Sequence, residues 1–326
     1  MSRNRKPDFV SLARDAKSTL RERNPRCDAE RVVPKETIRE LKDAGFFRML
    51  QPARWGGYEC HPLEFFDAAI EVASACPSTA WVLGVVAVHN WQLALFPEQA
   101  QRDVWEGEQG LDTLIASSYM PVGRVSRAGG GYRLSGKWGF SSGSDHCEWT
   151  FLGAFGPNEE GKPRDMFTLL VPRSDYELVD DWFVSGLKGT GSKSVVVDDA
   201  FVPEHRVHRM SDAFRLESPG NEVNPSALYR VPFGQLFTRT VATPAVGMLQ
   251  GAVEAYVNLN KSRKGRADGK KAADDPFNLE TCARATLAIR EVRALMRNDW
   301  NEMMDKAEAG EPIPVEVHAY LSGVVT

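Results

Sequence analysis

Residues 137–149, near the middle of the chain, read KWGFSSGSDHCEW. Two tryptophans, Trp138 and Trp149, bracket a run of glycines and small hydroxylated residues. Aromatic rings give flat apolar walls, glycines let the backbone approach a ligand closely, and hydroxyls and amides hydrogen-bond its edge. This combination suits a planar cofactor with polar edges. It is also typical of a strand that enters a Gly/Ser turn and is followed by a second strand, with both tryptophans in the core, and the pattern alone favours this second interpretation.

A family resemblance favours the cofactor. The segment resembles the flavin-contacting strand and loop of the acyl-CoA dehydrogenase-like superfamily, and within it the oxygenase components of two-component flavin-dependent monooxygenases that hydroxylate phenols. Members that act on hydroxyphenylacetate or on a phenolic secosteroid share a Trp-x-Phe-Ser-Ser-Gly-x-Asp-His pattern, found here at residues 138–146. The dehydrogenases instead carry Trp-x-Thr-Asn-Gly.

The resemblance implies an α+β fold in three parts. These are an N-terminal α-helical domain at residues 1–110, a central antiparallel β domain at 111–209, and a C-terminal helical bundle at 210–326. Members of the family continue with further helices beyond the equivalent of residue 326, so the bundle is expected to be truncated here.

Composition sets the broad class. With 326 residues, of which 42% are hydrophobic and 26% charged, the chain can bury a large core in two or three modules. The net charge of -4, with 40 Lys and Arg spread along the chain, argues against a nucleic-acid partner. Five cysteines without a CxxC pair suggest neither disulfides nor a metal site, and His205 and His208 lack supporting ligands. We therefore expect no metal and a cytoplasmic location.

No membrane segment is expected. The longest apolar run, Ala80–Val88, is far shorter than the roughly 20 residues that a membrane-spanning helix needs. The charged N-terminus also lacks the apolar stretch of a secretion signal.

Hydrophobic periodicity predicts the secondary structure. The helices are expected at 9–23, 34–45, 62–75, 78–95, 97–108, 232–263 and 279–308, with a loop at 211–224. The strands are expected at 113–119, 131–140, 149–155, 166–171 and 193–198. These short runs are rich in β-branched and aromatic residues and are separated by Gly, Pro, Asn and Asp, which favour turns.

Trp81 and His89 lie eight residues apart on an almost wholly apolar predicted helix, and therefore roughly on one face. A lone histidine on such a helix is usually a core residue, but histidine is also the side chain most easily adapted to proton transfer. The phenol hydroxylases that the chain resembles place a Trp and a His here, facing the substrate ring. The resemblance thus implies that His89 is a base or hydrogen-bond acceptor for a phenol.

The resemblance also implies the remaining site residues. Ser141, with Ser142 as the alternative, would hydrogen-bond the reactive edge of the flavin, and Trp81, Trp138 and Phe140 would exclude water. Further flavin or substrate contacts are assigned to Ser117, Ser118, Thr190, Ser192, Arg230 and Phe233. Ser117 and Ser118 are equally well explained as a plain strand end, and Arg230 and Phe233 match by spacing alone.

The cofactor implied is reduced FMN or FADH2 with molecular oxygen as co-substrate. The chain shows neither the Phe-Gly element that grips FAD in the dehydrogenases nor a nicotinamide-binding Gly-x-Gly-x-x-Gly unit, so a separate flavin reductase is expected. The function implied is hydroxylation of a small aromatic substrate through a flavin hydroperoxide. The alternatives are an acyl-CoA dehydrogenase-like oxidoreductase, an N- or S-oxygenating relative, or a non-catalytic scaffold of the same fold. The two long C-terminal helices predict a homo-oligomer, in the intact family form a tetramer.

Overall fold

A computed structural model describes residues 6–158, 164–264, 269 and 271–313. Residues 6–105 are mainly helical, as predicted. The helices are α1 (Phe9–Glu30), α2 (Lys35–Asp43), α3 (Pro62–Ala73), α4 (Pro77–Leu93) and α5 (Glu98–Trp105). Helix α1 is longer than the sequence predicted because it continues through Pro25 to a left-handed C-cap at Arg31. Helix α4 is apolar on every face, and all of its residues except Pro77 and Trp81 are buried.

A seven-stranded sheet follows. Its strands are β1 (Ile115–Ala128), β2 (Gly131–Ser141), β3 (Trp149–Phe155), β4 (Met166–Pro172), β5 (Glu177–Val179), β6 (Lys193–Pro203) and β7 (Val207–Arg209). The spatial order is β5-β6-β2-β1-β3-β4-β7. The sheet is mostly antiparallel, as predicted, with one exception: β1 and β3 are parallel, in register Ile115 to Trp149. The hairpin of β1 and β2 returns the chain to the end of the sheet at which β1 begins, so β3 runs in the same direction as β1. The alternation of residue types along a strand does not reveal this direction.

Three helices complete the described chain: α6 (Met210–Arg215), α7 (Phe233–Ser262) and α8 (Pro276–Ala309). Helix α6 overlaps the predicted loop. Its six residues are too few to show a clear helical period of apolar residues in the sequence. Helix α7 runs against α3 and α4, and α8 packs on α7. In the described residues, no helix is long and apolar enough to cross a membrane.

Two hydrophobic cores hold these layers together. The larger joins the N-terminal helices to the buried ends of β1 and β3 and to the start of α7, while the smaller lies between the strands of the sheet. This is the α+β, acyl-CoA dehydrogenase-like architecture that the sequence predicted. The division at residues 110 and 209 stays a prediction, although both positions fall between secondary-structure elements.

Candidate active site

Four of the predicted site residues meet where α4 faces the end of β2 and the turn before β6. Trp81 Nε1 donates to Ser142 Oγ at 3.0 Å, and Ser142 Oγ lies 2.7 Å from Ser192 Oγ. Ser192 Oγ is in turn 2.7 Å from Thr190 Oγ1, which donates to the Leu187 carbonyl oxygen at 2.9 Å. Four residues predicted separately therefore form one continuous hydrogen-bonded chain.

The direction of this chain follows from the number of hydrogens available. Each hydroxyl has one hydrogen to donate. Thr190 gives its hydrogen to a carbonyl, so Ser192 must donate to Thr190, and Ser142 to Ser192. The Ser142 hydroxyl thus has no hydrogen left for a ligand, although it can still accept one.

Ser141 is different. Its side chain is fully buried, and its Oγ has no hydrogen-bond partner among the described residues. A buried hydroxyl without a partner loses roughly 1–3 kcal/mol relative to a satisfied one. Ser141, not Ser142, is therefore the hydroxyl of the predicted pair that has a hydrogen free for a bound group.

His89 is completely buried, and its Nδ1 lies 2.5 Å from the Ile115 carbonyl oxygen. Because a carbonyl only accepts, Nδ1 carries the hydrogen and Nε2 is the bare acceptor of a neutral imidazole. Nε2 has no partner among the described residues. Burial lowers the pKa of His89 to about 4, so the ring is neutral at ordinary pH.

Aromatic rings surround the histidine. Tyr119 and Phe151 meet its ring edge-on, with centroids 6.0 and 5.6 Å away. Tyr119 also contacts Phe233 at 5.8 Å, and Phe233 stacks on Trp91 at 6.1 Å. The structure thus brings the predicted substrate residues His89 and Phe233 to the two sides of Tyr119.

The flanking serines take structural partners. Ser118 Oγ donates to the Gly139 carbonyl at 2.7 Å and so ties β1 to β2. Ser117 lies close enough to Tyr119 to lower the pKa of its hydroxyl, against the larger effect of burial. Arg230 is exposed and makes no ion pair or hydrogen bond with the described residues.

The aromatic residues of the opening segment divide into two kinds. Trp138 is fully buried in the sheet core and donates from Nε1 to the Gly153 carbonyl at 2.8 Å, a location that favours the packing role over a flavin contact. Phe140 is 66% exposed and has a left-handed backbone with φ 63°. A non-glycine residue in the left-handed conformation costs about 1–2 kcal/mol. Among the described residues, the aromatic ring that the Phe140 ring contacts is that of Trp182. Phe140 therefore remains suited to cover a planar ligand.

Two residues of this candidate site, Tyr119 and Gln92, were not identified from the sequence. Tyr119 donates its hydroxyl hydrogen to Gln92 Oε1, and burial raises the pKa of Tyr119 far above its usual value. Gln92 lies three residues after His89, and this helical spacing was the available signal. For Tyr119 there was no comparable signal, because the residue reaches α4 from a strand.

The chain is similar to known proteins in sequence. The N-terminal domain of acyl-CoA dehydrogenases matches residues 10–107, and their C-terminal domain matches residues 239–322. The flavin-dependent monooxygenase oxygenase subunit HsaA of Rhodococcus jostii (strain RHA1) is 42% identical over 301 residues, which is 92% of this chain and 78% of that protein. The oxygenase component of the FADH(2)-dependent resorcinol hydroxylase of Rhizobium sp. (strain MTP-10005) is 42% identical over 70% of this chain and 56% of its own length.

A solved structure agrees with the sequence relatives. The crystal structure of 3-HSA hydroxylase from Rhodococcus sp. RHA1 superimposes with a TM-score of 0.90 at 40% identity, covering 95% of this chain and 79% of that one. Identity of this size over most of both chains extends the likeness from the fold to the enzyme family. The chain therefore belongs to the oxygenase subunits of the flavin-dependent monooxygenases, built on the acyl-CoA dehydrogenase fold.

Proposed function

We propose that this chain hydroxylates a small phenolic substrate, using reduced flavin from a separate reductase and molecular oxygen. The observation that carries the proposal is the buried neutral imidazole of His89, whose unpartnered Nε2 lies among aromatic rings. Aromatic surroundings favour an aromatic substrate, and a phenolic hydroxyl supplies the hydrogen that Nε2 lacks. The names of the relatives, which include a resorcinol hydroxylase, support the substrate class.

The pKa values decide what His89 does. A phenol of ordinary acidity has a pKa of about 10. Proton transfer from such a phenol to an imidazole with a pKa of about 4 would be uphill by about six pH units, or roughly 8 kcal/mol. In the resting site, His89 therefore accepts a hydrogen bond that orients the phenol and draws electron density toward the ring, without removing the proton.

The hydroxyl groups fit a flavin. Reduced flavin, when bound, reacts with oxygen and supplies the oxygen atom that enters the substrate ring. Ser141 has the free hydrogen for the flavin edge, and the chain from Trp81 through Ser142 to Ser192 fixes the backbone beside it. Phe140 and Trp81 would shield the reacting face from water.

Two further statements belong to the proposal. The assembly is a homotetramer formed through α7 and α8, on which the described residues include the exposed apolar side chains Leu249, Leu259, Phe277, Leu279 and Leu287. The location is cytoplasmic, as the five free thiols favour.

The experiment is a rapid-mixing titration with reduced FMN and reduced FAD under oxygen, with phenol, resorcinol and 4-hydroxyphenylacetate as substrates. The expected result is hydroxylated product from at least one phenol, with hydrogen peroxide as the minor product. Reduction of the oxidised flavin by an acyl-CoA would support the dehydrogenase-like alternative instead. Oxygenation of an amine or sulfide and of no phenol would support the N- or S-oxygenating relative, and failure to bind either reduced flavin would leave the scaffold.

A further inference from the structure

The face of α4 that bears His89 also bears a buried amide whose hydrogen-bonding capacity is half used. Gln92 is 1% exposed, and its Oε1 accepts the Tyr119 hydroxyl hydrogen. Its Nε2 has no partner among the described residues. If the amide oxygen and nitrogen were exchanged, Tyr119 would still occupy one of them and leave the other unpartnered.

A second buried glutamine shows how the same fold satisfies such a group. Gln101 is 0% exposed, and its Nε2 donates to the carbonyls of Ala94 and Phe96 at 3.2 and 2.9 Å. Its Oε1 accepts from Trp55 Nε1 at 3.1 Å. Buried polar atoms in native proteins are nearly always paired with protein, ligand or ordered water, so Gln92 Nε2 can take a partner that the described residues do not supply.

The two unpartnered atoms on this face are complementary. His89 Nε2 can only accept a hydrogen, whereas Gln92 Nε2 can only donate one. Residues three apart in a helix lie on one face, and Tyr119 spans both, with its ring against His89 and its hydroxyl on Gln92. A single hydroxyl group donates one hydrogen and accepts another, and therefore has the hydrogen-bonding capacity that the two atoms require together.

We propose that Gln92, held in place by Tyr119, is a specificity-determining residue that donates a hydrogen bond from its amide to the phenolic oxygen of the substrate. The same phenolic hydroxyl donates its hydrogen bond to His89 Nε2. The inference rests on the proposed function and names the chemical feature that the site selects. A phenol meets both requirements. A methyl ether has no hydrogen for His89, and an aniline nitrogen is a poor acceptor for Gln92.

The test is equilibrium binding, which does not depend on turnover. Phenol, aniline and methoxybenzene are titrated into the protein with reduced FMN in the absence of oxygen, for the wild type, Gln92→Met and Gln92→Leu. Methionine keeps the length and flexibility of glutamine without its amide, and leucine is the second variant in case the first does not fold. Gln101→Met is the matched control, because it removes a buried glutamine whose partners are all known.

We expect Gln92→Met to raise the dissociation constant of phenol about tenfold, the effect of one hydrogen bond, and that of aniline by less than twofold. The preference for phenol over aniline should fall accordingly. Gln101→Met should lower the melting temperature and leave this preference unchanged. Equal changes for phenol and aniline, or no change for either, would overturn the inference, and the second result would assign the amide to a buried water.

The failure of the inference is distinguishable from failure of the proposed function. If the wild type binds and hydroxylates phenols but Gln92 variants keep its preferences, only the role of Gln92 is wrong. If the wild type binds no phenol at all, the proposed function is wrong as well.

Discussion

At the scale of single residues, the two adjacent serines that the sequence could not tell apart have opposite hydrogen-bonding states. Ser142 gives its hydrogen to Ser192, while Ser141 Oγ has no partner among the described residues. Both residues are buried and both side chains are the same, so only the positions of their neighbours distinguish them. The sequence placed both at the site, and the tertiary structure decided which one has a hydrogen to donate.

The first prediction follows from this difference. Ser141→Ala should divert oxygen consumption from hydroxylated product to hydrogen peroxide, because it removes the donor available to the flavin edge, and a lost donor in a dry site costs about 3–4 kcal/mol. Its melting temperature should stay close to that of the wild type, since no hydrogen bond within the chain is broken. Product and peroxide are measured together at fixed reduced FMN.

Ser142→Ala is the matched variant. It breaks the chain between Trp81 and Ser192, and it should therefore lower the melting temperature while changing the ratio of product to peroxide less. If neither variant changes that ratio, the assignment of a serine to the flavin edge is wrong.

The second prediction concerns buried histidines and pH. Burial lowers the pKa of His89 to about 4 and that of His208 to about 4, against an ordinary 6.5. Between about pH 6.5 and 4 the unfolded chain binds protons that the folded chain does not. The free energy of unfolding that each neutral, buried histidine contributes is therefore fully present above pH 6.5 and is lost as the pH falls through 4. A shift of this size corresponds to at most roughly 3 kcal/mol per histidine.

His89→Gln should therefore flatten the dependence of the unfolding free energy on pH between 4.5 and 6.5, measured by urea denaturation. His208→Gln should flatten it similarly, because that ring is equally buried. Carboxylates also contribute to the pH dependence of the unfolding free energy. Their contribution is the same in variant and wild type, so it cancels when the two curves are subtracted. Parallel curves for wild type and both variants would contradict the buried neutral state.

At the scale of elements, the longer helices were predicted well because their apolar residues recur at helical spacing or, in α4, fill the whole segment, whereas contacts between elements were not predictable. Gly247 in α7 illustrates this. A Cβ built on Gly247 would lie 2.4 Å from Ala73 Cβ and 2.4 Å from the Ile70 carbonyl oxygen, both in α3. The glycine is present because two helix backbones touch there, and the sequence of α7 alone shows only a run of small residues.

The third prediction uses this contact. Gly247→Ala should destabilise the fold by about 1–3 kcal/mol, because backbone atoms cannot move aside as a flexible side chain would. Gly234→Ala in the same helix is the control, since its new methyl group would meet nothing within 4 Å, and alanine favours helix by up to about 1 kcal/mol. Thermal unfolding of both variants measures the difference. Equal melting temperatures would show that α3 and α7 are farther apart than described.

At the scale of the whole molecule, α8 presents apolar side chains to solvent along much of its length. Phe277 is 79% exposed, Leu279 57% and Leu287 56%. Single exposed leucines are ordinary, but a series of exposed apolar side chains along one long helix supports the proposed contact with another copy of the chain. A shallow apolar cavity of about 210 Å³ between α7 and α8, lined by Val246, Leu249 and Met296 among others, adds to this surface.

The fourth prediction is that the protein is a homotetramer assembled through α7 and α8. Light scattering coupled to gel filtration should give four times the chain mass, and Leu279→Glu with Leu287→Glu should reduce it, because burying carboxylates without partners is unfavourable. Leu12→Glu, at an exposed leucine of α1, is the control and should leave the mass unchanged. A monodisperse wild-type monomer that binds reduced flavin would refute the assembly.

The sequence by itself determined the family and most of the helical regions, because these follow from local pattern and from the motif at residues 137–149. The assignment of residues to the cofactor stays a prediction. Thr190 and Ser192 were also identified before their contact with Ser142 was known. These predictions depend on short segments of sequence, and each segment can be interpreted without knowing which other segments pack against it.

Only the tertiary structure decided what each polar group does. It placed Trp138 inside the sheet, made β1 and β3 parallel, and left Ser141, His89 Nε2 and Gln92 Nε2 without partners among the described residues. Whether a buried donor or acceptor is satisfied depends on atoms that arrive from distant parts of the chain, as Tyr119 of β1 does at Gln92 of α4. No pattern within one segment carries that information, and for this reason Gln92 entered the site only when the helices and the sheet were assembled.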